Sequence, residues 1–350
     1  MQMLPNQLKD KLRDGLLSFL WRQWSQLGVA GNVEFRDRWV IDPEALLLFT
    51  LNIGRYDPRL FDEVLDWCAS NGRWLSVQRL TNIADQLGND DDRNVLAAFA
   101  EFMRIQETSK RWDRLVGESR PSADGMRSLF LDKSGLSLPV LGTAEPMFTS
   151  HGLLRSPLHL RGMSRPVRMD MPVSLIFRLR ALFGLSSARA EVIAYLDTHA
   201  EGYPNEIARA IRYSAPSIQQ VLADLAESGF VKVHESGRAK TYVLDRLRWR
   251  QFLRLPPGPL RWVDWGRTFI GLSILNRFLM TEPVDRLSDY MLESRLRSLV
   301  EEIGPCFVDA GLESKAPAPA RFRGSPKEFH VFITRLLRAL NPKSEPSRIF

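Results

Sequence analysis

Between residues 185 and 244 the apolar side chains change their spacing, and that change limits what the chain can fold into more than any other feature. Up to Leu225 they recur every three or four residues. In "SSARAEVIAYLDTHA", Val192, Ile193 and Leu196 make a stripe, with Ser186 and Ser187 as candidate caps. "YPNEIARAI" has Pro204 suited to a first helical turn and Ile207, Ala208 and Ile211 on one side; "RYS" turns the corner. Ser214 then caps a third helix whose buried side is Ile218, Val221, Leu222 and Leu225. After "ESGF" the period becomes two. "VKVHESGRAKTYVL" alternates Val231 and Val233 inward with Lys232 and His234 outward, turns through Ser236 and Gly237, and returns through Thr241, Tyr242, Val243 and Leu244. A helical period does not suit a strand, so three helices followed by a hairpin are predicted.

Two helices that cross closely need a small residue at the contact, and Ala208 sits there; Ile207, Ile211, Ile218 and Val221 have the spacing to lock their angle. On "EIARAI", "SIQQVLADLAESGFV" and the basic hairpin "SGRAKTYVL", residues 185–244 resemble the winged helix-turn-helix domains of bacterial transcriptional regulators, in the broad MarR/ArsR-like class. The match covers about a sixth of the chain, and departs at Arg212, where many such turns have glycine. The resemblance implies that the third helix, residues 214–227, enters the major groove of double-stranded DNA while the wing touches backbone or minor groove.

Opposite the buried stripe, that helix carries Pro216, Gln219, Gln220 and Ala223, flanked by Ser217 and by the cap Ser214. Glutamine can pair bidentately with adenine, and Ser217 can reach a base edge or a phosphate. The helix has no Lys or Arg, so affinity must come from elsewhere: Lys232, Arg238 and Lys240 in the wing, then Arg246, Arg248, Arg250 and Arg254 in "RLRWRQFLR". Phosphate contacts position and base contacts specify. The candidate DNA-contacting set is therefore Ser214, Pro216, Ser217, Gln219, Gln220, Lys232, Arg238, Lys240, Arg246 and Arg248. Winged helices also serve as protein-interaction or dimerisation modules, and the outer face here is polar but uncharged, with Asp224 and Glu227 near its end.

At 350 residues the chain exceeds one small DNA-binding module, and two or three domains are expected. Its net charge of +7 is unevenly spread: residues 1–104 hold 12 Lys/Arg against 15 Asp/Glu, so the remainder carries +10. Six arginines between 151 and 182 face Asp170 alone, seven bases between 228 and 254 face Glu235 and Asp245, and eight from 315 onward face Glu328 and Glu345. An acidic front and a basic remainder suit a nucleic-acid binder with a separate partner or sensing domain, although many basic proteins bind no nucleic acid.

The expected fold is mainly α: an N-terminal helical bundle, the central winged helix, and C-terminal helices. Residues 1–104 read as a helical partner or sensing domain. "LLSFLWRQWSQLG" puts Leu16, Leu17, Leu20, Trp21 and Trp24 on one face. "IDPEALLLFTLNIG" and "YDPRLFDEVLDWCASNG" both start Asp-Pro and end near Gly54 and Gly72, suggesting an antiparallel pair. Two further helices span about 74–87 and 92–105. Residues 105–182 form an ordered Gly/Pro/Arg-rich connector that may hold a short hairpin, its arginines facing DNA or solvent. The winged helix occupies 183–254. In 255–350, after "PPGP", come helices at 261–280 and 284–303, an exposed linker at 315–326 and an amphipathic helix at 326–340, all with a basic tail. These C-terminal helices would help form a homodimer.

Catalytic signatures are not found: GxxxxGK[ST], HExxH, GxSxG and CxxC do not occur. The chain reads as a non-enzyme with no cofactor and no metal. Asp62, Glu63 and Asp66 suggest a divalent site, against the simpler account of a helix surface near Arg55 and Arg59; His151 and His159 in the connector suit either an anion or ordinary surface. Of the tryptophans at 21, 24, 39, 67 and 74, most should be core, and any left in a groove would mark a ligand pocket or a partner surface. Cys68 and Cys306 lie too far apart in sequence to suggest a disulfide framework. The stretch at 262–280 carries Asp264, Arg267 and Arg277, so it reads as a buried helix rather than a membrane span, and the chain as cytoplasmic. The alternative to a DNA-binding regulator is a protein-interaction winged helix, such as an antitoxin-like partner subunit restraining an enzyme.

Overall fold

The first helix shows how the apolar period becomes a core. In α1 (Leu4–Leu27), Leu8, Leu12, Leu16, Leu20, Trp24 and Leu27 are all buried. The computed structural model to which it belongs describes residues 4–29, 39–85, 90–120, 125–185, 187–236, 239–255, 258, 260–282, 287–312 and 322–341. Mainly α, it follows α1 with α2 (Pro43–Ile53) and α3 (Pro58–Asn71). Both open as the Asp-Pro pairs demand: Asp42 accepts the Ala45 N–H, Asp57 accepts the Leu60 N–H, and proline fills the first turn. Both close at Gly54 and Gly72. They do not form a self-contained antiparallel pair. Because "LLLF" makes α2 apolar all round, it lies among α1, α4 (Val77–Ala84), α5 (Asp90–Glu107) and α13 (Trp265–Thr281).

In the connector, α6 (Asp113–Val116) is followed by two-residue strands, β1 (Arg127–Ser128) and β2 (Leu153–Leu154), on either side of α7 (Pro146–Thr149). These strands pair in parallel; the hairpin-like element is a separate antiparallel bridge, Leu131 to Ser137, closed over Asp132, whose carboxylate accepts the Ser134 and Leu136 N–H groups. Then come α8 (Leu175–Phe183), α9 (Arg189–Thr198), α10 (Pro204–Ile211), α11 (Ala215–Glu227), the antiparallel strands β3 (Val231–Ser236) and β4 (Ala239–Leu244), and α12 (Arg246–Phe252). α14 (Asp289–Phe307) and α15 (Pro326–Leu340) complete the fold. Ser186 lies outside the described residues, as do Gly237, Arg238 and most of the 315–326 linker. The N-cap of α9 is Ala188; Ser187 instead accepts from Arg189.

Buried apolar side chains gather in two cores among the described residues. One joins α1–α5, the connector and α13–α15; the other joins α8–α12 with β3 and β4. The first thus unites the two ends of the chain. Phe49 of α2 stacks on Phe269 of α13 at 4.3 Å, and Phe19 meets Trp265 at 5.3 Å. α15 lies against α1 at Gly15, where a Cβ would come within 2.6 Å of Leu337. The apolar side of α15 (Phe329, Phe332, Ile333, Leu336, Leu337 and Leu340) is buried here, within the chain. Trp24 and Trp67 are fully buried, whereas Trp21 is half-buried with its indole N–H on Asp57 at 2.8 Å and Arg59 over its ring. None of the helices in the described residues is long and apolar enough to cross a membrane.

Candidate nucleic-acid interface

The corner between α10 and α11 turns through Arg212, whose backbone is left-handed at φ 60° and ψ 47°. A non-glycine residue there costs about 1–2 kcal/mol. The surroundings hold it: the buried guanidinium donates to both carboxylate oxygens of Asp264, at 3.0 and 3.1 Å, and to the Arg209 carbonyl. The backbone of the corner is gripped from α4, where Arg79 Nε donates to the Ile211 carbonyl at 2.9 Å and Asn82 to the Arg212 carbonyl at 2.8 Å. The Tyr213 hydroxyl meets Ser76 at 3.4 Å, and burial pushes its pKa up to about 12.

Arg79 belongs to a buried charge network that joins the two cores. It is paired with Asp42 and, at 2.7 Å, with Glu44; Arg180 of α8 binds both oxygens of Glu44 and, at 2.6 Å, Glu191 of α9. Burial alone would raise the Glu44 carboxyl, but Arg180, Arg79 and the Ser76 N–H outweigh it and bring the pKa to about 2.

From this fixed corner α11 projects as its period requires. The Ser214 hydroxyl accepts the Ser217 N–H, Ile218, Val221, Leu222 and Leu225 are buried, and Ser214, Pro216, Ser217, Gln219 and Gln220 are exposed on the other side. Gln220 is engaged: its amide donates to Asp224 at 2.8 Å, and Asp224 also accepts from Arg189 at 2.6 Å. The Gln220–Asp224 spacing of one helical turn was readable in the sequence, but Arg189 comes from another helix and was not.

Strands β3 and β4 pair from Val231 with Leu244 to Ser236 with Ala239, and Gly202 bonds both ways to Tyr242 at 3.0 Å at the hairpin base. Val231, Tyr242 and Leu244 are buried, but Val233, expected inward, is 38% exposed. Alternation selects a face of the strand but not how fully each position on it is covered: Tyr242, paired with Val233, is buried while Val233 is not. Lys232 and Lys240 are exposed, the latter 2.8 Å from Glu235 across the strands. Arg248 is exposed near Asp245 at 3.5 Å; Arg246 is half-buried, donating to the His199 carbonyl; Arg250 is taken up by Asp197 at 3.0 and 2.9 Å. Arg238 lies outside the described residues. The structure therefore brings Ser214, Pro216, Ser217, Gln219, Gln220, Lys232, Lys240 and Arg248 to the surface and turns Arg246 partly inward.

Of the connector arginines expected to face DNA or solvent, Arg165 and Arg168 are exposed, whereas two others are tied to the fold. Arg155 is buried, gripping Asp62 through two bonds of 2.8 and 2.9 Å; Arg161 pairs with Glu63; and Asp66 accepts the Gly162 and Ser164 N–H groups. The acidic face of α3 is thus the dock for residues 155–164. His151 is buried, where desolvation lowers its pKa, and His159 stands exposed beside these carboxylates, a poor place for an anion. Groups of three or more His, Cys, Asp or Glu placed to hold a metal ion are not found among the described residues.

No family model, curated protein or solved structure matches this chain.

Proposed function

We propose that the chain is a sequence-specific DNA-binding transcriptional regulator of winged-helix type, acting as a homodimer. α11 enters the major groove and the hairpin of β3 and β4 lies along the phosphate backbone. The observation that carries this reading is the uncovered polar face of α11: neither core covers Ser214, Pro216, Ser217, Gln219 or Gln220, although the same helix buries its entire apolar stripe. Glutamines supply the donor and acceptor groups that base edges match, while Lys232, Lys240, Arg248 and Arg238 supply the charge that phosphates need. A two-fold dimer would present two copies of α11 about 34 Å apart and prefer an inverted repeat.

Fluorescence anisotropy on the protein's own upstream DNA and on a scrambled duplex, over a salt series, tests this. Preference for the upstream duplex at physiological salt, weakened in Gln220→Ala, is expected. Equal, steeply salt-dependent binding to both duplexes would overturn sequence reading.

A second reading rests on a different observation. Around buried Trp249, the side chains of Phe230 and Phe252 are 49% and 63% exposed, and both stack edge-on against the indole. Such a patch suits a protein partner, as in an antitoxin-like subunit restraining an enzyme. A stoichiometric second protein co-purifying with the wild type but not with Phe252→Ser would favour it.

A further inference from the structure

The uncovered face of α11 contains one arrangement that does little for stability. Gln220 and Asp224 lie one turn apart, and Asp224 reaches across to Arg189 at the start of α9. All three side chains are at least partly exposed, where an ion pair adds little to stability. We propose that Asp224, held by Arg189, is a positioning residue that orients the Gln220 amide and so makes Gln220 a reader of adenine. This rests on the reading of α11 as the DNA-reading helix.

A free glutamine amide presents its oxygen and its NH2 in either order. A carboxylate only accepts, so the 2.8 Å contact from Gln220 Nε2 to Asp224 Oδ1 settles which end faces Asp224. The amide oxygen and one N–H remain for the groove. Adenine presents the complementary pair, the N6 amino donor and the N7 acceptor. A lone carboxylate facing phosphates would be repelled from them; Arg189, 2.6 Å from Oδ2, neutralises it and fixes its second oxygen. The Gln220 and Arg189 bonds also hold the Asp224 carboxyl below its ordinary range, so it stays an acceptor at neutral pH.

Full-length wild type, Gln220→Ala, Asp224→Ala and Asp224→Asn are each used to select from a pool of randomised duplexes, and the selected duplex and its single-base variants are then titrated by anisotropy. The wild type should enrich an adenine that Gln220→Ala loses. Asp224→Ala should lose about fivefold or more of discrimination at that same position. Its affinity for random duplex should rise, because a negative charge has gone and Arg189 is released toward phosphate. Asp224→Asn keeps an acceptor oxygen and should retain most of the preference. The proposal is overturned if Asp224→Ala keeps the adenine preference, or loses a cytosine preference that Gln220→Ala leaves alone, which would make Asp224 a direct reader. Affinity, preference and Tm falling together would also overturn it, as a merely structural role. A wild type that enriches no motif removes the underlying reading itself, an outcome distinct from a wild-type motif that survives loss of Asp224.

Discussion

Two stretches of this chain carry the same excess of charge and divide it differently between the fold and the surface. Residues 151–182 and 228–254 are both dense in bases and poor in acids. In the first, Arg155 and Arg180 are buried on carboxylates of α2, α3 and α9, Arg161 closes on Glu63, and Arg165 and Arg168 stay exposed. In the second, Lys232, Lys240, Arg248 and Arg254 are exposed. Two of the acids that quench the first stretch lie far away in sequence: Asp62 is 93 residues from Arg155, and Glu44 is 136 from Arg180. Local charge balance therefore says which segments are basic, not which cations are offered to a partner.

The comparison breaks first at Arg180. Arg180→Ala leaves Glu44 and Glu191 buried with one cation fewer, and should cost about 3–5 kcal/mol in urea unfolding. Arg155→Ala is expected to cost less, about 2 kcal/mol, because its partner Asp62 keeps contact with water. At the exposed cations of the second stretch no such loss is expected, and Lys232→Ala should change stability by less than about 0.5 kcal/mol. Lys232→Ala should instead weaken binding to every duplex and lower the salt slope by about 1. If Lys232→Ala destabilises the fold, or Arg155→Ala weakens DNA binding at unchanged stability, the contrast is wrong.

Acid sharpens the contrast. The Glu44 carboxyl falls from an ordinary 4.5 to about 2 on folding, so its stabilisation is complete above about 4.5 and drains away as pH drops toward 2. The urea midpoint should fall over that interval, and Glu44→Gln should start lower but lose less. The smallest effect belongs to the exposed Lys240–Glu235 pair, where Glu235→Ala should leave the urea midpoint unchanged. It should also strengthen duplex binding slightly by releasing Lys240, which anisotropy at low salt would detect.

What the sequence made legible is what local period and capping control. The Asp42, Asp57 and Ser214 caps, the two faces of α11 and the pairing of β3 with β4 follow from residues within a few positions of one another. Failures came where a residue's partner is distant. Val233 has the right parity for burial but is left 38% exposed beside buried Tyr242. The apolarity of α13 announces a buried helix without saying that Phe49 and Phe19 are its neighbours. Of the candidate site, Gln219, Gln220 and Lys232 were legible as outward residues. Arg246 was not, since the His199 carbonyl that turns it inward lies 47 residues away.

The left-handed Arg212 has a consequence for anyone who would isolate residues 183–254. Its guanidinium ends on Asp264, its carbonyl on Asn82, and the preceding carbonyl on Arg79, none of which lies within residues 183–254. Excised alone, that segment would leave all three anchors behind while keeping the strained dihedral. The angle between α10 and α11 is thus on loan from the flanking helices, and a fragment cut to the boundaries of the motif would be free to relax into a different shape.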